Sequence, residues 1–293
     1  MKIIKKLILT LVVIVAIVSV AIIGGYIYTR SKYNIDLFDT VKQLKILSKK
    51  VNEDELCTNA FSTDDIANVK KNLDQYVYGL ITYNEGEGYE GYSISIPSSM
   101  PPTSFSSDVM LSSKQSGALT QVMFYQQTGG KVKIGEKELI VSLMQMDFLN
   151  ISENGSTDLN VIVKINLKPL KENINEFPFK LLKKYIPNEL YISSTVRLDK
   201  TDEFMGYEIA HKELKLNNLS SEDSNDFFHT LDVVLKIGEA NDLNLKIGNA
   251  VASALIGSKN QKGFAYIMKH FSKESFKFAT IDEENYMIIY WFL

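Results

Sequence analysis

The chain has 293 residues, 45% hydrophobic and 23% charged, which is enough apolar material for a sizeable core and too much for a disordered chain. Its formal charge of −3 hides an asymmetry: without the five basic residues Lys2, Lys5, Lys6, Arg30 and Lys32 the remainder carries −8, which argues against nucleic acid as a partner. Cys57 is the only cysteine, so an intramolecular disulfide, a cysteine-based metal site and a CxxC redox pair are excluded, and the residue reads as a small buried apolar group.

The run KLILTLVVIVAIVSVAIIGGYIY, from Lys6 to Tyr28, has Thr10 and Ser19 as its interior polar residues and is long enough to cross a bilayer. Lys2, Lys5, Lys6 and the terminal amine precede it and only Arg30 and Lys32 closely follow, so the positive-inside bias puts the N-terminus in the cytoplasm and the bulk outside. Ser19-Val20-Ala21 has the spacing of a signal-peptide cleavage site. The apolar stretch continues past it through Ile22, Ile23, Tyr26, Ile27 and Tyr28, which favours an uncleaved anchor over a cleavable signal peptide. The expectation is a single-pass cell-membrane protein, with residues 1–33 as cytoplasmic tip and transmembrane anchor.

Residues 34–104 read as a membrane-proximal segment. Leu37, Val41, Leu44 and Leu47 recur at helical spacing, with Lys42, Lys45, Lys49 and Lys50 facing elsewhere. A second helix is signalled by Thr63 as N-cap, Asp64 and Asp65 in the first turn, and the stripe Ile66, Val69, Leu73, Tyr76, Val77, Leu80. From Asn84 to Asp108 the chain is rich in Gly, Ser and Pro, which predicts a loop holding one short strand, YSISI, at 92–96.

Residues 105–293 read as an antiparallel-sheet domain. LSSKQSGAL (111–119) and LSSEDSNDF (219–227) share L-S-S-x-x-S, and Ser112 with Gln115 and Ser220 with Asp223 have capping-box spacing, so both are helix starts whether the match is a duplication or chance. Between them the period changes to two. In DLNVIVKINLK (158–168) Leu159, Val161, Val163, Ile165 and Leu167 point one way, with Ile162 the exception; ELYISSTVRL (189–198) repeats the pattern, and KELIVSLMQMDF and GYEIAHKELKL are strand-like too. Four one-sided strands imply an antiparallel sheet with one wet face. FPFKLLKKYIP (177–187) is bracketed by prolines and reads as a short helical connection.

Phe227, Phe228, Leu231, Val234 and Leu235 then mark one helix. Leu243, Ile247, Val251, Ala254 and Leu255 mark another, in which Gly248, Ala250, Ala252 and Ser253 allow close approach. SFKFATI and YMIIYWFL, joined by DEEN, close the chain as a hairpin whose last strand is apolar enough to be buried.

The residues carry little recognisable chemistry. GEGYEG (86–91) matches G-x-G-x-x-G, but YSISIP and prolines follow where a dinucleotide loop needs a helix, and Glu87 and Glu90 repel phosphate, so a turn is expected and no nucleotide. His211, His229 and His270 fall in no ligand spacing, and His211, with Glu208 and Glu213 nearby, reads as part of a solvated face. There is no G-x-S-x-G elbow, and the paired acids are helix first turns or solvated tips. No catalytic residue, metal site or cofactor is expected, and the chain reads as a non-enzyme.

The anchor Leu7 to Tyr28, the segment LSSKQSGALTQVMFY followed by KELIVSLMQMDF, the strand NVIVKINLKPLK, the phrase PNELYISSTVRL, and LSSEDSNDFFHTL with the terminal hairpin together resemble bacterial membrane-anchored envelope proteins of the YpmS type, which are similar to the tubular lipid-binding (TULIP-like) superfamily. The resemblance covers most of 105–293 and implies a curved antiparallel sheet wrapped on helices, an apolar interior suited to lipid, and no enzymatic activity. The fold class expected is therefore α+β: a transmembrane helix, then a curved antiparallel sheet on helices. The function expected is binding of lipid or another apolar ligand in a groove lined by Val161, Val163, Ile165, Ile192 and Val196, although base rates favour plain core packing for any one of them. The alternative is a non-catalytic envelope scaffold contacting another membrane protein.

Overall fold

The computed structural model describes residues 37–75, 78–86, 88–95, 108–134, 137–172, 183–203, 205–235, 240–257, 263–268 and 276–289. The apolar run at 6–28, the proline-rich stretch 96–107 and most of the 177–187 connection lie outside them. Among the described residues no helix is long and apolar enough to cross a membrane.

The segments of period two become an antiparallel sheet of five strands in sequential order: β4 (Lys131–Ile134), β5 (Lys137–Leu149), β6 (Thr157–Asn166), β7 (Glu189–Lys200) and β8 (Tyr207–Leu216). The first of these adds to the four that the alternation predicts. KVKI is short and follows Gly129-Gly130, so its pattern is too brief to stand out, yet it pairs along its whole length with β5. Three further strands, β3 (Val109–Ser112), β9 (Phe276–Ile281) and β10 (Glu284–Ile289), form a second sheet with β10 in the middle. The terminal hairpin is thus present, and it turns on Asp282 and Glu283, both at positive φ as a two-residue hairpin loop requires.

Helices lie against these sheets. They are α1 (Leu37–Leu47), α2 (Glu53–Leu56), α3 (Thr63–Asp74), α4 (Ser113–Thr128), α5 (Lys168–Glu172), α6 (Ser221–Leu235), α7 (Ala240–Leu255) and α8 (Phe264–Met268). The chain is α+β with antiparallel sheets. The N-cap of α3 is Ser62 rather than Thr63: Ser62 Oγ accepts from Asp64 N–H, and Asp65 accepts from Ser62 N–H at 2.7 Å. That helix stops at Asp74, short of the predicted stripe, and Leu80 is buried from a turn after Gly79, which has φ 83°.

One core runs through the whole described chain. Leu44 and Leu47 of α1, Ile66 and Val69 of α3, Leu119 and Val122 of α4, Val161 and Ile165 of β6, and Phe276 and Ile289 of the terminal hairpin belong to it. Residues between Leu44 and Ile94 therefore contribute to the same core as the sheet. The short hairpin β1 (Ile81–Tyr83) and β2 (Tyr92–Ile94) is fastened to α4 by Gln126, whose amide accepts from Ile94 N–H at 3.1 Å and donates to Ile94 C=O at 3.2 Å. GEGYEG is the loop of this hairpin. It contains a single turn of 3-10 helix (Gly88–Gly91), closes through Asn84 N–H to Gly91 C=O at 2.7 Å, and leads into a strand. A dinucleotide loop would lead into a helix; Glu87 lies outside the described residues.

The face expected to be wet is partly covered. Ile162, the exception to the alternation, is 2% exposed beside Cys57 and Tyr191, with Val51, Leu56 and Met144 around them. Burying that isoleucine contributes about 1.5–3 kcal/mol, which explains an apolar residue at an outward position. Residues 51–60 form the strap that covers it. Glu53 on α2 accepts from Lys164 Nζ and from Tyr191 Oη, each at 2.6 Å, and Asn59 donates to Asp147 at 2.7 Å. The Lys164 hydrogen bond first, and the Tyr191 one second, hold the Glu53 carboxyl below its usual range.

Candidate functional site

A cleft opens between α4, α7 and the inner face of the five-stranded sheet, and both helices are placed by features visible in the sequence. Ser112 caps α4 with a complete capping box: its Oγ accepts from Gln115 N–H at 3.3 Å, and Gln115 Oε1 accepts from Ser112 N–H at 3.0 Å. Gly129, at φ 64°, ends the helix with its N–H on Tyr125 C=O. Ser116 through Met123 are all buried, so α4 is a central helix rather than a surface one. Its stripe Thr120, Gln121, Phe124, Gln127 and Thr128 forms one wall of the cleft.

The second wall is α7, through Ile247, Ala250, Val251 and Ala254. Gly248 sets the spacing. A Cβ there would lie 2.6 Å from Val196 Cγ1, so the backbone of α7 touches β7 at this point, as its small residues predict. Past that contact Ala250 and Ala254 present only methyl groups, and the space left open is the cleft. Its floor is Val141 and Leu143 of β5, Val163 of β6 and Ile192 of β7. The volume is about 230 Å³, and no charged side chain lines it among the described residues.

Of the five residues expected to line a groove, Val163 and Ile192 do lie in the floor. Val161, Ile165 and Val196 are buried outside it, packed in the core. For Val196 the reason is direct: Gly248 brings the helix down on it. The α4 and α7 walls were not identified from the sequence, and the signal available was the cluster of small residues on α7.

One element is polar where period-two reading expects only apolar residues. Ser194 and Asn244, both 0% exposed, meet across the β7–α7 boundary, with Ser194 Oγ donating to Asn244 Oδ1 at 2.5 Å. The Asn244 amide donates to Thr195 C=O at 2.8 Å and bonds His211 Nδ1 at 2.7 Å. His211 is therefore drawn toward the helices and is part-buried rather than fully solvated. It pairs with Val196 at a bulge between Thr195 and Val196, which brings it under α7. Burial lowers its pKa, and an Nδ1 that accepts from the amide is the neutral ring's arrangement.

Among the described residues no group of three or more His, Cys, Asp or Glu is placed to hold a metal ion. The arrangement is a mostly apolar hollow without a charged side chain among the described residues. No family model, curated protein or solved structure is detectably similar to the chain.

Proposed function

We propose that the protein is a single-pass membrane protein whose extracytoplasmic part binds lipid, or another apolar ligand, in the cleft between α4 and α7. The observation that carries this reading is the cleft wall itself: nine apolar residues from three strands and two helices and four uncharged polar ones from α4, with no charged side chain among the described residues. At about 230 Å³ the cleft exceeds the roughly 150 Å³ of a cavity that takes up benzene and falls short of the roughly 300–1,000 Å³ of pockets that enclose drug-sized ligands. That size suits a segment of one hydrocarbon chain, with the remainder of the molecule outside.

The anchor at residues 6–28, the cytoplasmic N-terminus and the likeness to YpmS-type and tubular lipid-binding proteins belong to the same proposal. A hydrocarbon segment is the guest a membrane supplies in excess, and an apolar site needs no catalytic group to hold it. The test is to express residues 34–293, purify them without detergent and examine them by native mass spectrometry. Co-purified lipid, displaced by an apolar fluorescent probe, is the expected result; protein that is repeatedly empty and takes up no probe would leave the envelope scaffold as the better reading.

A further inference from the structure

Gln121 stands out in the cleft wall. Its side chain is 1% exposed, and its Oε1 accepts from the backbone N–H of Leu143 at 2.7 Å. That N–H is available because it points to the β4 side of β5, as Val141 N–H does on Gly130 C=O, and the β4 pairing ends at Lys131 and Ile140. A backbone N–H can only donate, so the amide oxygen must face Leu143 and the amide nitrogen is turned the other way. The nitrogen has no hydrogen-bond partner among the described residues, in a side chain that lines the cleft. The two threonine hydroxyls of this wall are committed: Thr120 donates to Ser116 C=O and Thr128 to Phe124 C=O, each at 2.8 Å. Gln127 is engaged as well.

A donor beside an open cleft loses its water when an apolar chain fills the space, and a guest that brings an acceptor offsets that loss. An uncharged acceptor fits best, because no cation lines the cleft among the described residues to compensate a carboxylate or a phosphate. Resting on the reading of the cleft as an apolar ligand site, we infer that its ligand is a neutral acyl compound, an ester or amide, whose carbonyl oxygen accepts a hydrogen bond from Gln121 Nε2 while its chain lies along Phe124, Leu143, Val163 and Ile192. Gln121 is then the residue that distinguishes an acyl ester from a plain hydrocarbon and from a free fatty acid.

The test uses the full chain held in an amphipathic polymer free of lipid, titrated calorimetrically with methyl octanoate, decane and octanoate. The carbonyl stretch of isotope-labelled methyl octanoate is followed by infrared spectroscopy. Expected are a bound carbonyl band lower in frequency than in hydrocarbon solvent, octanoate bound more weakly than the ester, and in Gln121→Met a loss of about fivefold in ester affinity with decane affinity kept. Should that variant fail to fold, the band on the unaltered protein decides alone. Ester and decane both bound, with the carbonyl band where hydrocarbon solvent puts it, overturns the inference and leaves the apolar cleft standing. Octanoate bound more tightly than the ester overturns it too. Protein that binds neither decane nor ester overturns the cleft reading along with it.

Discussion

At Gly248 helix propensity and packing pull in opposite directions, so one substitution measures which of them sets the position of α7. Gly248→Ala in the interior of a helix gains about 0.8–1 kcal/mol from propensity alone. The new Cβ would lie 2.6 and 2.7 Å from the two Val196 methyl carbons, about 1 Å inside the contact distance of roughly 3.5–4.0 Å. Overpacking of that kind costs about 1–3 kcal/mol, so the net change is a loss of up to about 2 kcal/mol. Val196→Ala removes both methyl groups and leaves only its own Cβ, 3.2 Å away, so in that background Gly248→Ala should stabilise by up to the propensity gain. Thermal unfolding of the four proteins, followed by far-UV circular dichroism, reads the cycle at about 2–4 °C per kcal/mol for a chain of this length. A melting temperature raised equally by Gly248→Ala in both backgrounds would refute the contact, and with it the spacing that leaves the cleft open.

Two further outcomes follow from the buried network and the strap. His211 has a folded-state pKa lowered by burial, so its contribution is full above the unfolded value of about 6.5 and is lost as pH falls below it. Stability should decline there by at most about 1.4 kcal/mol per pH unit, and the excess slope over His211→Gln, measured by melts from pH 5 to 8, isolates it; equal slopes would place His211 outside the buried network. Burial, and secondly the Glu53 charge, push the Cys57 thiol up to about 11, so alkylation at neutral pH should be slow in the folded protein. Lys164→Met removes a charge that lowers the Cys57 pKa, which by itself slows labelling, whereas release of the strap speeds it. The Lys164–Glu53 pair is partly exposed and worth under about 1 kcal/mol, so a rise of up to about fivefold is expected, and a fall would show that Lys164 does not hold the strap.

The sequence was most legible where local chemistry and long-range packing agree. Ser112-x-x-Gln115 and Ser220-x-x-Asp223 name their helix starts because a cap is a contact over three residues, and both caps form. The alternation of 158–166 fixed which face of β6 turns inward. Ser62, one residue before the expected Thr63, is the cap, and Ser62 to Asp65 carries the same three-residue spacing. What stayed hidden depends on partners far away in the chain. Ile162 is explained only when residues 51–60 return across the outer face, and His211 only when α7 settles on Val196. The cleft is hidden for the same reason: its walls lie more than a hundred residues apart, and its width is set by a glycine touching a valine, a distance no periodicity encodes.

The most direct measurement of ligand binding uses the full chain in membranes that contain a lipid with a photoreactive group at the end of one acyl chain, followed by mass-spectrometric mapping of the attached residues. Attachment is expected at Phe124, Leu143, Val163, Ile192, Ile247 or Val251, with its loss in Ala250→Trp, which fills the space from an exposed position. Attachment confined to the apolar run at 6–28, unchanged by that substitution, would contradict it.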